Sequence, residues 1–232
     1  MKTQYVQIDR NNPDPAQIEP AAAIIRQGGL VAFPTETVYG LGANGLDSLA
    51  VQKIFAAKGR PADNPLILHI AGRDELLALV QKVPAWLNPL LDLYWPGPLT
   101  VVLPRANCVP DIVTAGLNSV AVRLPSLGAA QALIRAAGVP IAAPSANLSG
   151  RPSPTTAAAV MADMDGRIEM VLDGGLCDVG LESTVLDCTT DVPTILRPGA
   201  VTQEMLEKQL GSVNASGISQ ADDGVAPRAP GM

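Results

Sequence analysis

The apolar residues of this chain arrive in short runs. Leu30–Phe33, Leu66–Ile70, Leu99–Leu103, Val120–Leu124 and Thr184–Asp187 are each four or five residues long. Runs that short, rich in Val, Leu and Ile and edged by Gly or Pro, predict buried strands. Further strands are expected at 4–8, 140–143, 170–172 and 194–196. Between them lie stretches with helical spacing. Pro15 to Gln27 is ended by Gly28-Gly29, Asp47 to Ala57 has Asp47 as N-cap, and Leu127 to Ala137 is ended by Gly138. Helices are also expected at 74–80, 84–93 and 201–210, and from Ser153-Pro154 to about Met164. Strands and helices do not alternate cleanly. The expected class is therefore α/β with a twisted sheet of mixed parallel and antiparallel strands, flanked by helices, rather than a simple doubly wound one.

The other limits come from what is scarce. Two Trp, three Tyr and two Phe are the only aromatics in 232 residues, so the core rests on Val, Leu, Ile and Ala. There is no stacking platform for single-stranded nucleic acid. The charge is −6, which disfavours broad binding to nucleic acid or anionic membranes but leaves room for a local basic pocket. Cys108, Cys177 and Cys188 are odd in number and form no C-x-x-C pair, which disfavours both a disulfide framework and a zinc site. The single histidine, His69, excludes a His-rich metal site. The N-terminal MKTQYVQIDR has no apolar signal segment, and no run approaches the ~20 residues of a membrane span. The expectation is a soluble, reduced, cytoplasmic protein. Residues 211–232, rich in Gly, Ser, Ala, Asp and Pro, are expected to be a linker or flexible tail after a domain spanning 1–210.

Gly40-Leu41-Gly42-Ala43-Asn44-Gly45 fits the dinucleotide pattern G-x-G-x-x-G, with Asp63 near the place of a ribose-binding acid. Its context fails. The fingerprint needs a strand running straight into the glycines and a second strand ending at the acid. Here Pro34–Tyr39 intervenes, and Asp63 sits in Pro- and Gly-rich loop sequence.

Three constellations can carry chemistry. Residues 34–45 bring the hydroxyls of Thr35, Thr37 and Tyr39 next to glycines after a buried strand, or form a connecting loop with capping threonines. Lys58-Gly59-Arg60-Pro61 places two cations at a helix end, where they can capture phosphate or carboxylate, or simply complement the helix C-terminus. In Ala143–Ser153 a strand ends in small polar residues, with Ser145 and Asn147 two apart and so on one side if extended, before a helix start at Ser153 or Pro154 that can receive an anion, or the segment forms a capped turn. Arg123, in an apolar strand, requires an internal carboxylate or an anionic ligand. Glu182-Ser183-Thr184 opens one strand, Arg197-Pro198-Gly199 ends another, and His69 fits either a half-buried structural histidine or a contact.

Taken in order, PTETVYGLG (34–42), KGRPADNPL (58–66), WPGPLTVVL (95–103), VAVRLP (120–125), APSANLSG (143–150), ESTV (182–185) and LRPG (196–199) resemble the threonylcarbamoyl-AMP synthase family, the YrdC-like domain. The resemblance spans roughly residues 15–210, with Lys58, Arg60, Ser145 and Asn147 matching the family's K-x-R…S-x-N pattern. It implies a YrdC-like fold around a concave, electropositive cavity. It also implies a reaction in which L-threonine, bicarbonate and ATP give L-threonylcarbamoyladenylate and pyrophosphate, for modification of the adenosine beside the anticodon of certain tRNAs.

By the same resemblance, Lys58 and Arg60 are the catalytic cations. Lys58, Arg60, Asn64, Ser119, Ser145, Asn147, Ser153 and Arg197 contact ATP. Thr37, His69, Arg123, Ala143 (through its backbone) and Ser183 line the threonine site, with Arg123 giving the carboxylate two parallel hydrogen bonds. Mg2+ is expected to travel with ATP, without a dedicated metal site or prosthetic group. A downstream tRNA threonylcarbamoyltransferase is the expected consumer, with weak or no direct tRNA binding and no membrane partner. The ending APRAPGM resembles the linker of the family's long, two-domain members, cut within that linker. Two other classes fit parts of the pattern: a non-catalytic RNA-binding module, and a carbamoyl-transfer domain of hydrogenase-maturation type.

Overall fold

A computed structural model describes residues 2–215 of the chain. Eleven strands form one sheet in the order β1-β8-β2-β3-β7-β4-β6-β5-β9-β10-β11. They are β1 (Gln4–Gln7), β2 (Val31–Phe33), β3 (Gly40–Asn44), β4 (Ile67–His69), β5 (Leu99–Pro104), β6 (Ser119–Arg123), β7 (Ile141–Ala142), β8 (Met170–Asp173), β9 (Thr184–Asp187), β10 (Thr194–Arg197) and β11 (Asn214–Ala215). The helices are α1 (Pro15–Arg26), α2 (Ser48–Lys58), α3 (Leu76–Leu79), α4 (Asn88–Tyr94), α5 (Asp111–Thr114), α6 (Gly128–Ala137), α7 (Ala157–Met164) and α8 (Gln203–Leu210). Parallel pairs such as β4/β6 and β5/β9 stand beside antiparallel ones such as β3/β7 and β5/β6, so the sheet is mixed as the broken alternation implies.

Period-2 alternation sorts the strand residues onto two faces. Val31 and Phe33 of β2 and Met170 and Leu172 of β8 pack in one cluster, with α1 and α6. Ala32 and Val171, their immediate neighbours in sequence, join the other cluster with α2, α4 and α7. Helix α1 offers Ile18, Ala21, Ala22 and Ile25 to this core, the spacing of one helical face. Asp14 caps it through Ala16 N–H, and Asp47 caps α2 through the N–H groups of Leu49 and Ala50.

Three local expectations are corrected, and one short helix was not expected. Residues 40–44, read as part of a glycine-punctuated loop, form strand β3. A Cβ at Gly42 would lie 2.8 Å from Ile141 Cγ2 and 2.9 Å from Phe33 Cε1, so the glycine lets β3 pass against bulky neighbours. The dinucleotide pattern is therefore sheet, not phosphate loop. Helix α7 starts after Thr156, whose hydroxyl accepts from Ala159 N–H, and not at Ser153-Pro154. The short helix α5 falls in a stretch without helical periodicity. Of the tail expected from Gly211, residues 211–215 are described, and Asn214–Ala215 extend the sheet parallel to β10 with Val213 buried. Residues 216–232, including the APRAPGM ending, lie outside the described residues.

Candidate active site

The segments that connect β2 to β3, α2 to β4, β7 to α7 and β8 to β9 converge on one cavity of about 510 Å3, within the range of small-molecule sites. Twelve of the thirteen residues singled out from the sequence line it. The exception is Ser119, which opens β6 opposite Pro104 and is not part of this lining. Thr35, Ser149, Arg151 and Glu182, none of them assigned a ligand from the sequence, line the cavity as well.

One group of side chains gathers on Lys58. It occupies the last turn of α2, which ends at Gly59 in the left-handed region, so Arg60 falls just outside the helix. The Lys58 ammonium donates to Ser145 O at 2.5 Å, Asn147 O at 2.7 Å and Asn147 Oδ1 at 3.3 Å. All three of its N–H donors are thus engaged with neutral oxygens of the 145–147 segment. Burial, and then the Arg60 charge, pull Lys58 down to about 7, while Asp163 opposes them. The oxygens around it favour the charged form. The resemblance implies that this ammonium meets the triphosphate or the carbamate; in this structure it ties together the 145–147 segment that follows β7. Ser145 donates to Asn147 Oδ1 at 2.5 Å, and the Asn147 amide donates to Leu148 O and Arg151 O. Arg60 reaches Asn64 O at 3.4 Å, and burial lowers its pKa.

The other group gathers on Arg123, at the end of β6 and only 3% exposed. Its Nη1 donates to Thr37 Oγ1 at 2.9 Å and its Nε to Gly97 O at 3.2 Å. Its Nη2 lies 2.7 Å from Glu36 Oε1, close but not aligned as a hydrogen bond. The internal carboxylate that a cation in an apolar strand requires is therefore Glu36. Because Nη2 is buried against it, the two parallel hydrogen bonds expected from Arg123 to a ligand carboxylate are not both open in this arrangement. Thr37 and Thr35 share a hydrogen bond of 2.9 Å, and Thr35 donates on to Val38 O, so the threonine pair is fixed from behind.

Beside this group, Arg197 Nη2 donates to Ser183 O at 2.8 Å and to Ser183 Oγ at 3.1 Å. Thr100, fully buried, shares a hydrogen bond of 2.7 Å with the same Ser183 hydroxyl. Burial, and secondarily Arg123, hold Arg197 down to about 10, so it stays charged near neutrality, with Glu182 opposing them. Gly199 makes this possible. A Cβ there would lie 2.4 Å from Thr184 N and 2.5 Å from Glu182 O. The LRPG turn can therefore only press against the start of β9 without a side chain. Ser153 donates to Glu182, which links the two groups across the cavity and replaces the helix-cap role expected of it.

His69 pairs in register with Arg123 across β4 and β6 and stands edge-on to Phe33. Burial and the Arg123 charge push it down to about 3, so the ring is neutral at pH 7. Its Nδ1 is buried and has no hydrogen-bond partner among the described residues. Ala143 N–H is used by Ile67 O at 3.0 Å, so that residue's backbone donor is already spent in the sheet. Glu36 and Thr100 were not singled out from the sequence, and Glu182 was noted only as the opening of a strand. Only Glu36 had a signal in advance, through the unmet need of Arg123.

Among the described residues, no three His, Cys, Asp or Glu side chains cluster as a metal cage. No described helix is long and apolar enough to cross a membrane.

The Sua5/YciO/YrdC family model, described as "Telomere recombination", matches residues 23–199. Threonylcarbamoyl-AMP synthase of Bacillus subtilis is 51% identical over 231 residues, which is 97% of this chain and 64% of the relative. Threonylcarbamoyl-AMP synthase of Pyrococcus abyssi is 51% identical over 216 residues, 93% of this chain and 64% of the relative. The crystal structure of P. abyssi Sua5 complexed with L-threonine matches with a TM-score of 0.95 and 49% identity, over 99% of this chain and 67% of that one. The chain thus spans just under two thirds of the length of these curated relatives.

Proposed function

The chain belongs to the Sua5/YciO/YrdC family, and from that premise we propose that it makes L-threonylcarbamoyladenylate and pyrophosphate from L-threonine, bicarbonate and ATP. The observation that carries this reading is the convergence of two buried cation groups, around Lys58 and around Arg123, on one cavity of about 510 Å3. The reaction joins anions. The threonine amine adds to CO2 with loss of a proton, or to bicarbonate with loss of water, and the resulting carbamate oxygen attacks the α-phosphorus of ATP, expelling pyrophosphate. Neutralising and aligning those charges on fixed, buried cations supplies most of what such a step needs.

In this reading Arg123, Thr37 and Ser183 hold the amino acid. A threonine carboxylate meets Arg123 at its Nη1 side, since Nη2 faces Glu36. His69 offers a neutral ring nitrogen to the amine. With its pKa pushed down to about 3, it is too weak a base to take a proton near neutrality, so it is a contact and not the general base. Arg60 and Arg197, with the loop that Lys58 holds in shape, receive the triphosphate. Asn64, Ser145, Asn147 and Ser153 add polar contacts. Mg2+ enters as part of the ATP substrate. The product passes to a downstream tRNA threonylcarbamoyltransferase in the cytoplasm, and a net charge of −6 supports a reading without direct tRNA binding.

The test is pyrophosphate release by the 232-residue chain. Release is expected only when ATP, threonine and bicarbonate are all present. Release that continues without threonine, or without bicarbonate, rejects the reading.

A further inference from the structure

We infer that Glu36 is a positioning residue for the amino-acid end of the cavity: its carboxylate fixes the Arg123 guanidinium for the carboxylate of the substrate. The inference rests on the proposed reading of Arg123 as the threonine contact.

Four observations carry it. First, both partners are out of water: the Arg123 side chain is 4% exposed and the Glu36 side chain 8%. A guanidinium buried that deeply without a counter-charge is strongly disfavoured, and the pair contact of 2.7 Å supplies that charge. Second, Glu36 has no other task among the described residues. Neither of its carboxylate oxygens accepts a hydrogen bond, so it neither caps a turn nor ties down a backbone N–H. Third, the guanidinium is gripped from three directions, by Thr37 on Nη1, Gly97 O on Nε and Glu36 on Nη2, which sets both its plane and its rotation. Fourth, Glu36 stands on a fixed base. Val179 N–H donates to Glu36 O at 2.9 Å, and Gly180 N–H donates to Thr37 O at 3.1 Å, so the 174–182 segment clamps this turn from outside. Glu36 is not part of the cavity lining, so it acts on the ligand through Arg123.

The experiment is calorimetric titration of the full chain with L-threonine, and separately with ATP. Glu36→Gln keeps the shape and removes the charge. The expected result is a rise of tenfold or more in the threonine Kd, with the ATP Kd within twofold of wild type and a cooperative thermal transition retained. Glu36→Asp, which restores the charge one methylene further back, is expected to recover part of the loss. A purely structural role would weaken both ligands together, and that pattern overturns the inference. So does a threonine Kd within twofold of wild type. A tighter Kd overturns it too, because the carboxylate would then compete with the substrate rather than position its contact. Should Glu36→Gln fail to fold, Glu36→Asp is judged against the same threonine and ATP criteria, with a threefold threonine effect expected. Wild-type chain that binds ATP but not threonine rejects the proposed function itself, and the role of Glu36 with it.

Discussion

Lys58 and Arg123 are both cations with 3% exposure on the wall of the same cavity, and they are compensated in opposite ways. Lys58 is surrounded by neutral oxygens: two backbone carbonyls and one side-chain amide. Those dipoles favour the ammonium against the burial that pulls it down to about 7, and they carry no counter-charge, so a polyanion there would strengthen the charged form. Arg123 instead faces a full carboxylate, Glu36, and most of its formal charge is balanced within the protein. The first arrangement suits a ligand with several negative charges. The second suits one with a single carboxylate, whose binding depends on placement more than on net field. The two groups meet at Ser153–Glu182, beside Ser183.

The largest expected effect breaks the Lys58 side. Lys58→Met removes the charge and all three hydrogen bonds from the 145–147 segment. By analogy with the loss of a preorganised charge-stabilising group, kcat/KM for ATP is expected to fall by about 100- to 1,000-fold. Threonine affinity should change by no more than about threefold, since the two groups are held by separate contacts. Equal losses for both ligands in steady-state kinetics and titration would erase the distinction between the two regions.

Next is Arg123→Lys, which keeps the charge and discards the planar fork. Placement is the essential property on that side, so the threonine Kd is expected to rise by roughly 10- to 100-fold, with ATP binding little changed. A lysine that binds threonine as well as arginine does would show that charge alone suffices there.

The third prediction uses pH. His69 sits beside Arg123 with its pKa pushed from about 6.5 to about 3 by burial and by that charge. The folded state therefore refuses a proton that the unfolded chain accepts. Stability is complete above pH 6.5 and is lost as the pH falls from 6.5 toward 3. Between pH 7 and pH 5 the wild type should lose ~2 kcal/mol more than His69→Asn in urea unfolding. Parallel pH dependences would mean that the ring is not held neutral.

The smallest effect is expected at the seam. Ser153→Ala removes one hydrogen bond to Glu182 and should lower kcat/KM by about tenfold or less, the scale of one net hydrogen bond. A larger loss would show that the Ser153 hydroxyl contributes more than one hydrogen bond's worth to placing the nucleotide.

Much of this was legible in the sequence because local physics and global fold agree there. The caps at Asp14 and Asp47 and the one-sided spacing of Ile18, Ala21, Ala22 and Ile25 mark helices by themselves. The valine- and leucine-rich runs mark the central strands. Strand β3 was hidden because its glycines answer to Phe33 and Ile141, residues that only the sheet brings near. The start of α7 was misplaced because Ser153-Pro154 carries cap chemistry that a partner across the cavity, Glu182, takes up instead. Within the site, the ordered motifs located twelve cavity-lining residues. What they did not reveal is which donors are already spent. Lys58 points its ammonium into its own protein, and half of the alternative posed by Arg123, an internal carboxylate, was standing three residues past Phe33 as Glu36.

The central claim, that one cavity joins an amino acid, a one-carbon acid and a nucleotide, is tested most directly by isotope incorporation. The 232-residue chain is incubated with ATP, Mg2+ and labelled bicarbonate, with threonine and without it, and the products are separated by chromatography. The account predicts label in an AMP-containing product only when threonine is present. Label in an adenylate formed without threonine, or pyrophosphate released with no labelled adenylate at all, would contradict it.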